Sequence, residues 1–244
     1  MDPDKKLFKT ETHLHTKESS PCGRVPATEM IRLCKDAGYD TVFVTDHFQK
    51  KTFAGYEATA QAFDERLDWF LTGYRNAKEE GDRIGVTVLL GAEIRFKANT
   101  VDDYLIYNFD ADFLRHYPRL YDLEAHQFFE LADRSGVLVI SAHPFRGRNR
   151  PYPSAAHGFE FNANPRKVYK TYNDLVRVLA AGFRTHFRTS GSDAHERIDV
   201  GSGGILTETR ILTAQDYIDV LKSKKLTMID ESYRILQERR KRKT

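Results

Sequence analysis

Short apolar, β-branched runs alternate along the chain with stretches whose apolar residues recur at helical spacing, the rhythm expected of βα units. Strands are predicted at residues 8–15, 41–45, 86–90, 104–107, 137–140, 158–161, 186–189 and 226–229. Pro26 opens a helix expected to run through Ala37 and to end at Gly38, with Met30, Ile31, Leu33 and Cys34 on one stripe. A longer helical region is expected over 56–80, closed by Gly81, and others over 124–134, 174–181 and 213–223. Thr213 and Asp216 form the capping pair of the last. Residues 144–153, rich in Pro, Arg and Gly, read as a loop.

The polar residues are informative because of where they fall on this frame. His13 and His15, at i and i+2 of a strand, project from one face. Asp46 and His47 follow the second strand, Glu93 the third, His143 the strand at 137–140, and Asp193 with His195 the run ending at Thr189. In an α/β barrel such positions converge on the carboxyl rim, so five strand ends together say more than any one histidine. His116, His126, His157 and His186 lack that context.

Imidazoles with carboxylates suit Zn²⁺, Mn²⁺ or Fe²⁺. Glu18, Asp46, Glu93, Asp103 and Asp193 would place up to five negative groups in one site. Without cations they would repel and retain protons, so two or three divalent ions are expected. Cys22, close in sequence to His13 and His15, reads either as a thiolate ligand or as part of a turn.

Apolar residues make up 40% of the 244 positions and charged residues 30%, a globular composition with room for one domain over 1–236. The net charge of +3 sits largely in a basic tail at 237–244, QERRKRKT, which reads more simply as a solvated helix end than as a nucleic-acid contact. No signal-peptide pattern or membrane-length apolar run is present, and two cysteines make no disulfide framework, so a cytoplasmic protein without a membrane partner is expected.

The segments His13-Leu14-His15-Thr16, Thr45-Asp46-His47, Gly91-Ala92-Glu93, Ser141-Ala142-His143-Pro144 and Gly191-Ser192-Asp193-Ala194-His195, in this order, resemble the PHP (polymerase and histidinol phosphatase) domain family. The resemblance implies an α/β fold, a distorted seven-stranded (β/α) barrel of TIM-barrel type, with up to three metals at the carboxyl-terminal rim and phosphoesterase activity. It further implies that His13, His15, Glu93 and Asp193 hold one ion, that Glu93 bridges to a second bound by His143, and that His47 and His195 hold a third. Where relatives carry an Asp or His after the paired histidines, this chain offers Glu18; where they carry a His after the bridging Glu, it offers Asp103. Both changes keep oxygen ligands and favour Mn²⁺ or Fe²⁺.

The chemistry expected is hydrolysis of a small phosphate ester by metal-activated water. Arg146, three residues beyond His143, would grip phosphate oxygens. Asp46 is expected at the catalytic centre or orienting an imidazole, and His195 as a metal ligand or as the acid for the leaving oxygen. Alternatives are a nuclease or nucleic-acid-associated domain, and hydrolysis of an amide or lactone.

Overall fold

The computed structural model describes residues 6–56, 58–96, 101–167 and 171–241. The strands are β1 (Phe8–Glu11), β2 (Thr41–Val44), β3 (His47–Gln49), β4 (Thr87–Arg95), β5 (Asp103–Tyr107), β6 (Leu138–Ala142), β7 (Gly158–Asn162), β8 (Phe187–Gly191), β9 (Gly203–Thr207) and β10 (Leu226–Asp230). The helices are α1 (Ala27–Asp36), α2 (Lys50–Phe53), α3 (Ala60–Phe70), α4 (Thr72–Ile84), α5 (Ala111–His116), α6 (Ala125–Arg134), α7 (Asn173–Gly182), α8 (Ala214–Ser223) and α9 (Ser232–Lys241).

These elements follow local chemistry. On α1 the buried residues Ala27, Met30, Ile31 and Cys34 recur at i, i+3, i+4 and i+7, one face of a helix. Thr213 and Asp216 cap α8 reciprocally, and Glu124 with Gln127 does the same for α6. The helical stretch expected over 56–80 is two helices, α3 and α4, and residue 57 lies outside the described part. Gly81 does not end α4. A Cβ there would lie 2.6 Å from the Val86 carbonyl, so this glycine lets the helix sit close on β4. The stop is Gly85, at φ 79°.

The sheet runs β10-β9-β1-β2-β4-β5-β6-β7-β8, with β3 also on β4. Ten strands among the described residues replace the expected seven, for three reasons. The chain rejoins β4 after Asp46 as β3; β5 runs antiparallel between β4 and β6; β9 and β10 form an antiparallel pair beside β1. The α/β, barrel-like class is as expected, with the sheet nearly closed. At the seam Ser190 Oγ donates to the Ile229 carbonyl (2.6 Å), tying β8 to β10. Past the strand ends Leu14 and Ala194 form a parallel bridge, with His15 N–H donating to the Ala194 carbonyl (2.9 Å). An aromatic cluster including Phe48, Phe53, Phe70, Tyr121 and Phe128 fills the space between β3–β6 and helices α2, α3 and α6. No helix among the described residues is long and apolar enough to cross a membrane. Helix α9 carries the chain through residue 241; residues 242–244 of the basic tail lie outside the described part.

Candidate metal centre

The Leu14–Ala194 bridge puts the first histidine pair beside Asp193 and His195. Glu11, last residue of β1, secures it: its Oε1 accepts from the backbone N–H of Thr12, His13 and Ser192 at 3.0, 3.0 and 2.9 Å. Gly191 leaves the necessary room, since a Cβ there would lie 2.5 Å from His13 Cβ and 2.7 Å from Glu160 Oε1. Two of the proposed ligands sit in left-handed backbone, His143 at φ 32° and Asp193 at φ 50°. Non-glycine residues are held there only where surrounding contacts over-determine them, as functional sites do.

Four buried side chains enclose a small polar centre. His13 Nε2 and His15 Nε2 lie 3.1 Å apart; Asp193 Oδ1 is 3.4 Å from each, and Glu93 Oε2 is 3.7 and 3.3 Å from them. Four donors around a tetrahedral ion with bonds of about 2.0–2.1 Å are separated by about 3.3–3.4 Å. The spacing therefore fits a first-row divalent ion. Glu93 Oε2 and Asp193 Oδ1 are buried without a hydrogen bond, a cost that a bound cation removes. His13 donates through Nδ1 to Glu160 Oε1 (2.7 Å), which turns its Nε2 lone pair inward.

A second group forms where His143 Nε2 meets Glu93 Oε1 (2.9 Å), with Asp103 Oδ2 at 3.9 Å. The Asn149 amide, turned so that its nitrogen donates to the Val101 and Arg146 carbonyls, accepts from His143 Nδ1 (3.2 Å). The Nε2 lone pair thus faces Glu93. A third group combines His15, His47 and His195 with Cys22. His47 Nδ1 is 2.9 Å from Glu93 Oε2 but not aligned for a hydrogen bond.

The electrostatics carry the same message. Burial pushes the Glu93 carboxyl up, yet the facing His47 and His13 outweigh it and hold it well below 4.5. Asp193 is likewise held low against burial, by Lys167, Arg146 and His195. Burial lowers His13, but Glu160, Asp193 and Glu93 lift it well above 6.5; Glu93 and Cys22 do this for His47. His143 is instead lowered, by burial and the Arg146 guanidinium. Burial raises the Cys22 thiol, but hydrogen bonds with His195 and His47 bring it down to about 5. The cluster stabilises positive charge, and protons, Arg146 and Lys167 supply it here.

Of the residues expected from sequence, His13, His15, His47, Glu93, Asp103, His143, Asp193 and His195 come together. Glu18 does not. Its carboxylate accepts the Ala27 N–H through both oxygens at 3.0 Å, capping α1, because the loop after Thr16 turns it toward that helix. Asp46 is not at the reacting centre either: its oxygens accept from Thr16 N–H (2.8 Å), Thr16 Oγ1 (2.6 Å) and Ser20 Oγ (2.6 Å), and it stands 4.0 Å from His15 Nδ1. It shapes the loop that carries the ligands. Asp103 is shared with Arg95, which donates to both oxygens at 2.6 Å. Arg146 reaches the cluster, ion-paired with Asp193 and 2.6 Å from His143 Nε2. His195 Nδ1 donates to the Asp193 carbonyl (2.7 Å), leaving one nitrogen for which ligation and proton transfer compete.

Three contributors escaped the sequence reading. Glu160 lies between Phe159 and Phe161 on β7, a lone charge in an apolar strand; it also accepts from the His143 N–H (3.0 Å). Lys167 donates to Asp193 Oδ2 (2.6 Å) from a loop with no motif. Glu11 precedes the histidine pair, and Cys22 stands nearer the histidines than its loop position suggested. His157 and His186 serve elsewhere, accepting from Val139 N–H (3.0 Å) and bonding the Pro153 carbonyl (2.8 Å).

Known proteins bear on this arrangement. No curated protein matches the chain in sequence. Among solved structures it is similar to PsfC from Pseudomonas syringae, at 19% identity and TM-score 0.62 over 96% of both chains. It is similar to a two-domain protein from Bacteroides vulgatus, described as containing a predicted PHP-like metal-dependent phosphoesterase (15%, TM-score 0.61, 96% of this chain and 70% of that one). A third is the lesion-specific endonuclease PfuEndoQ from Pyrococcus furiosus (13%, TM-score 0.60, 89% and 56%). At these identities the likeness is one of fold. The PHP domain model matches residues 11–192, the span from Glu11 to the segment carrying Asp193, and the chain belongs to the PHP domain family.

Proposed function

We propose that this chain is a metal-dependent phosphoesterase that hydrolyses a small phosphorylated substrate. The observation that carries the reading is the placement of Arg146 and Lys167 on Asp193, at the edge of a buried histidine–carboxylate cluster. Bound divalent ions would supply an activated water and a Lewis acid for the ester oxygens. His13, His15, Glu93 and Asp193 would hold one ion, Glu93 with His143 and Asp103 a second, and His47 with His195 a third.

The remaining work belongs to the two cations. The Arg146 guanidinium pairs in parallel with two oxygens, whereas the Lys167 ammonium acts as a compact charge. Both are about a quarter exposed, at 21 and 27%, so each reaches from the cluster toward solvent where an ester arrives. With ions neutralising Asp193, their charge is available for phosphoryl oxygens, which they hold against the donors. Glu160 and Asn149 fix the imidazoles so that the inner nitrogens keep their lone pairs.

The test is phosphate release from a panel of phosphate mono- and diesters by chelator-treated protein restored with Mn²⁺, Zn²⁺ or Fe²⁺. Activity should vanish on chelation and return with at least one metal. If none of the three supports cleavage of any ester, while amide or lactone substrates are turned over, the phosphoester reading fails and the non-phosphate one replaces it.

A further inference from the structure

Cys22 sits in a loop folded tightly between two ligand-bearing segments. Lys17 N–H donates to the Val25 carbonyl (3.0 Å), Ser20 N–H to Thr16 (3.1 Å), and Gly23 N–H to Ser20 (2.9 Å). Arg24 N–H donates to the His195 carbonyl (2.9 Å), so the loop is stitched to the segment carrying that histidine. At Gly23 a Cβ would overlap the Thr16 carbonyl, so the turn has no slack. The thiol is thereby presented to His15, His47 and His195, with one donor atom from each of the four within 4.8 Å of the others.

His15 cannot serve two ions through one nitrogen. Its Nε2 faces His13, Glu93 and Asp193, whereas its Nδ1 faces Ser20 Oγ (3.3 Å) and Asp46. That commits it to the first ion. His195, with Nδ1 donating to the Asp193 carbonyl, keeps Nε2 as a donor. Three ligands remain around one point: two imidazoles and a sulfur.

From this geometry we infer that Cys22 is a direct metal ligand, completing with His47 and His195 an N₂S set whose fourth position is open. The inference rests on the reading of the rim as a metal centre and assigns a different character to one of its ions. As the ion binds, sulfur donates to it as thiolate, and the proton that the Cys22–His47 pair otherwise holds leaves the His47 imidazole for solvent. Three protein ligands and one free position are the pattern of a catalytic rather than a structural zinc site. A thiolate selects a softer ion, Zn²⁺ or Fe²⁺, while the Glu93–Asp103–His143 group, richer in oxygen, suits Mn²⁺. The centre is thus built for two kinds of metal.

Cobalt reports this without turnover, because sulfur bound to Co²⁺ produces an intense near-ultraviolet charge-transfer band that nitrogen and oxygen donors do not. Chelator-treated full-length protein would be titrated with Co²⁺ under reducing, oxygen-free conditions, alongside Cys22→Ser and Cys34→Ser, with circular dichroism to establish that each is folded. Cys34 is buried in α1 and is the other thiol of the chain. The expected result is a band in the wild type and in Cys34→Ser, absent from folded Cys22→Ser. Zn²⁺ affinity at this position should fall at least about a hundredfold in Cys22→Ser, since changes beyond the ligands already cost roughly 10–100-fold. Cobalt bound without the band, or a band that survives in Cys22→Ser, overturns the thiolate ligand and leaves the other two sites standing. Failure to bind any cobalt would overturn the metal reading of the whole rim, and this inference with it.

Discussion

The two ends of the barrel solve opposite problems. At the amino end, where β8 and β10 begin, a cavity of about 580 Å³ is lined by Arg184, His186, Arg188, Lys224, Leu221 and Met228, among others. At the carboxyl rim the histidines and carboxylates are packed so closely that His13, His15 and His143 have no exposed surface. The roomier feature is far from the chemistry. Cations at the amino end face water, which screens them at little cost. The charges at the rim are deprived of water and must be answered by other charges, by protons or by metal. Enforced proximity of candidate ligands, rather than empty volume, marks the end proposed as functional.

The strongest way to break this contrast is Glu93→Gln. The substitution keeps the shape but removes the charge that both of the first two groups share. We expect folded protein with reduced metal content and at least about a hundredfold loss of turnover, beyond the roughly 10–100-fold cost of changes outside the ligand set. Metal analysis beside kinetics decides it; full metal content with ordinary turnover would remove Glu93 as the bridge.

Next in size is Glu160→Gln, which touches no ion directly. An amide in place of the carboxylate can present its nitrogen to His13 Nδ1 and lose the orienting hydrogen bond. Metal affinity should fall by about 10–100-fold, with recovery of activity at high metal concentration. A loss that excess metal does not rescue would mean Glu160 acts otherwise than through His13.

A pH series sharpens the electrostatic side. His13 and His47 have raised pKa values, so in metal-free protein their contribution to stability is complete below 6.5 and is lost as pH rises through those raised values. Glu93 and Asp193 are depressed, so their contribution holds above 4.5 and 3.8 and is lost as pH falls through their folded values. Metal-free protein should therefore melt highest between 4.5 and 6.5 and lose stability toward alkaline pH. Zn²⁺ should reverse the alkaline arm, because it binds neutral imidazole and displaces the protons. Calorimetry with and without Zn²⁺ checks this; a metal-free Tm that climbs from about pH 6 to about pH 8 contradicts the assigned linkage.

The smallest effect belongs to the other end. Arg184 is exposed and far from the ligands, so Arg184→Ala should leave turnover unchanged and stability within about 0.5 kcal/mol. A several-fold change in kcat would show that the two ends communicate.

Much of the rim was legible beforehand because its information is local. The alternation of extended backbone puts His13 and His15 on one face although β1 itself stops at Glu11. The apolar runs of β4, β6 and β8 locate Glu93, which lies within β4 rather than after it, and His143 and Asp193, which follow β6 and β8. Other assignments depended on how loops turn in space. Glu18 and Cys22 lie in one loop, four residues apart; the turn through Ser20 and Gly23 sends the carboxylate to cap α1 and the thiol to the histidines. Glu160 belongs to a strand buried on both faces, where alternation cannot say which side is the centre. Lys167 enters only through chain reversal after β7. The sequence by itself determined the residue types, their order and the strands that carry them, since these follow from short-range sterics and periodicity. Tertiary structure alone decided which candidate donors come together, because that turns on the bridge between the segments following β1 and β8, which joins residues about 180 positions apart.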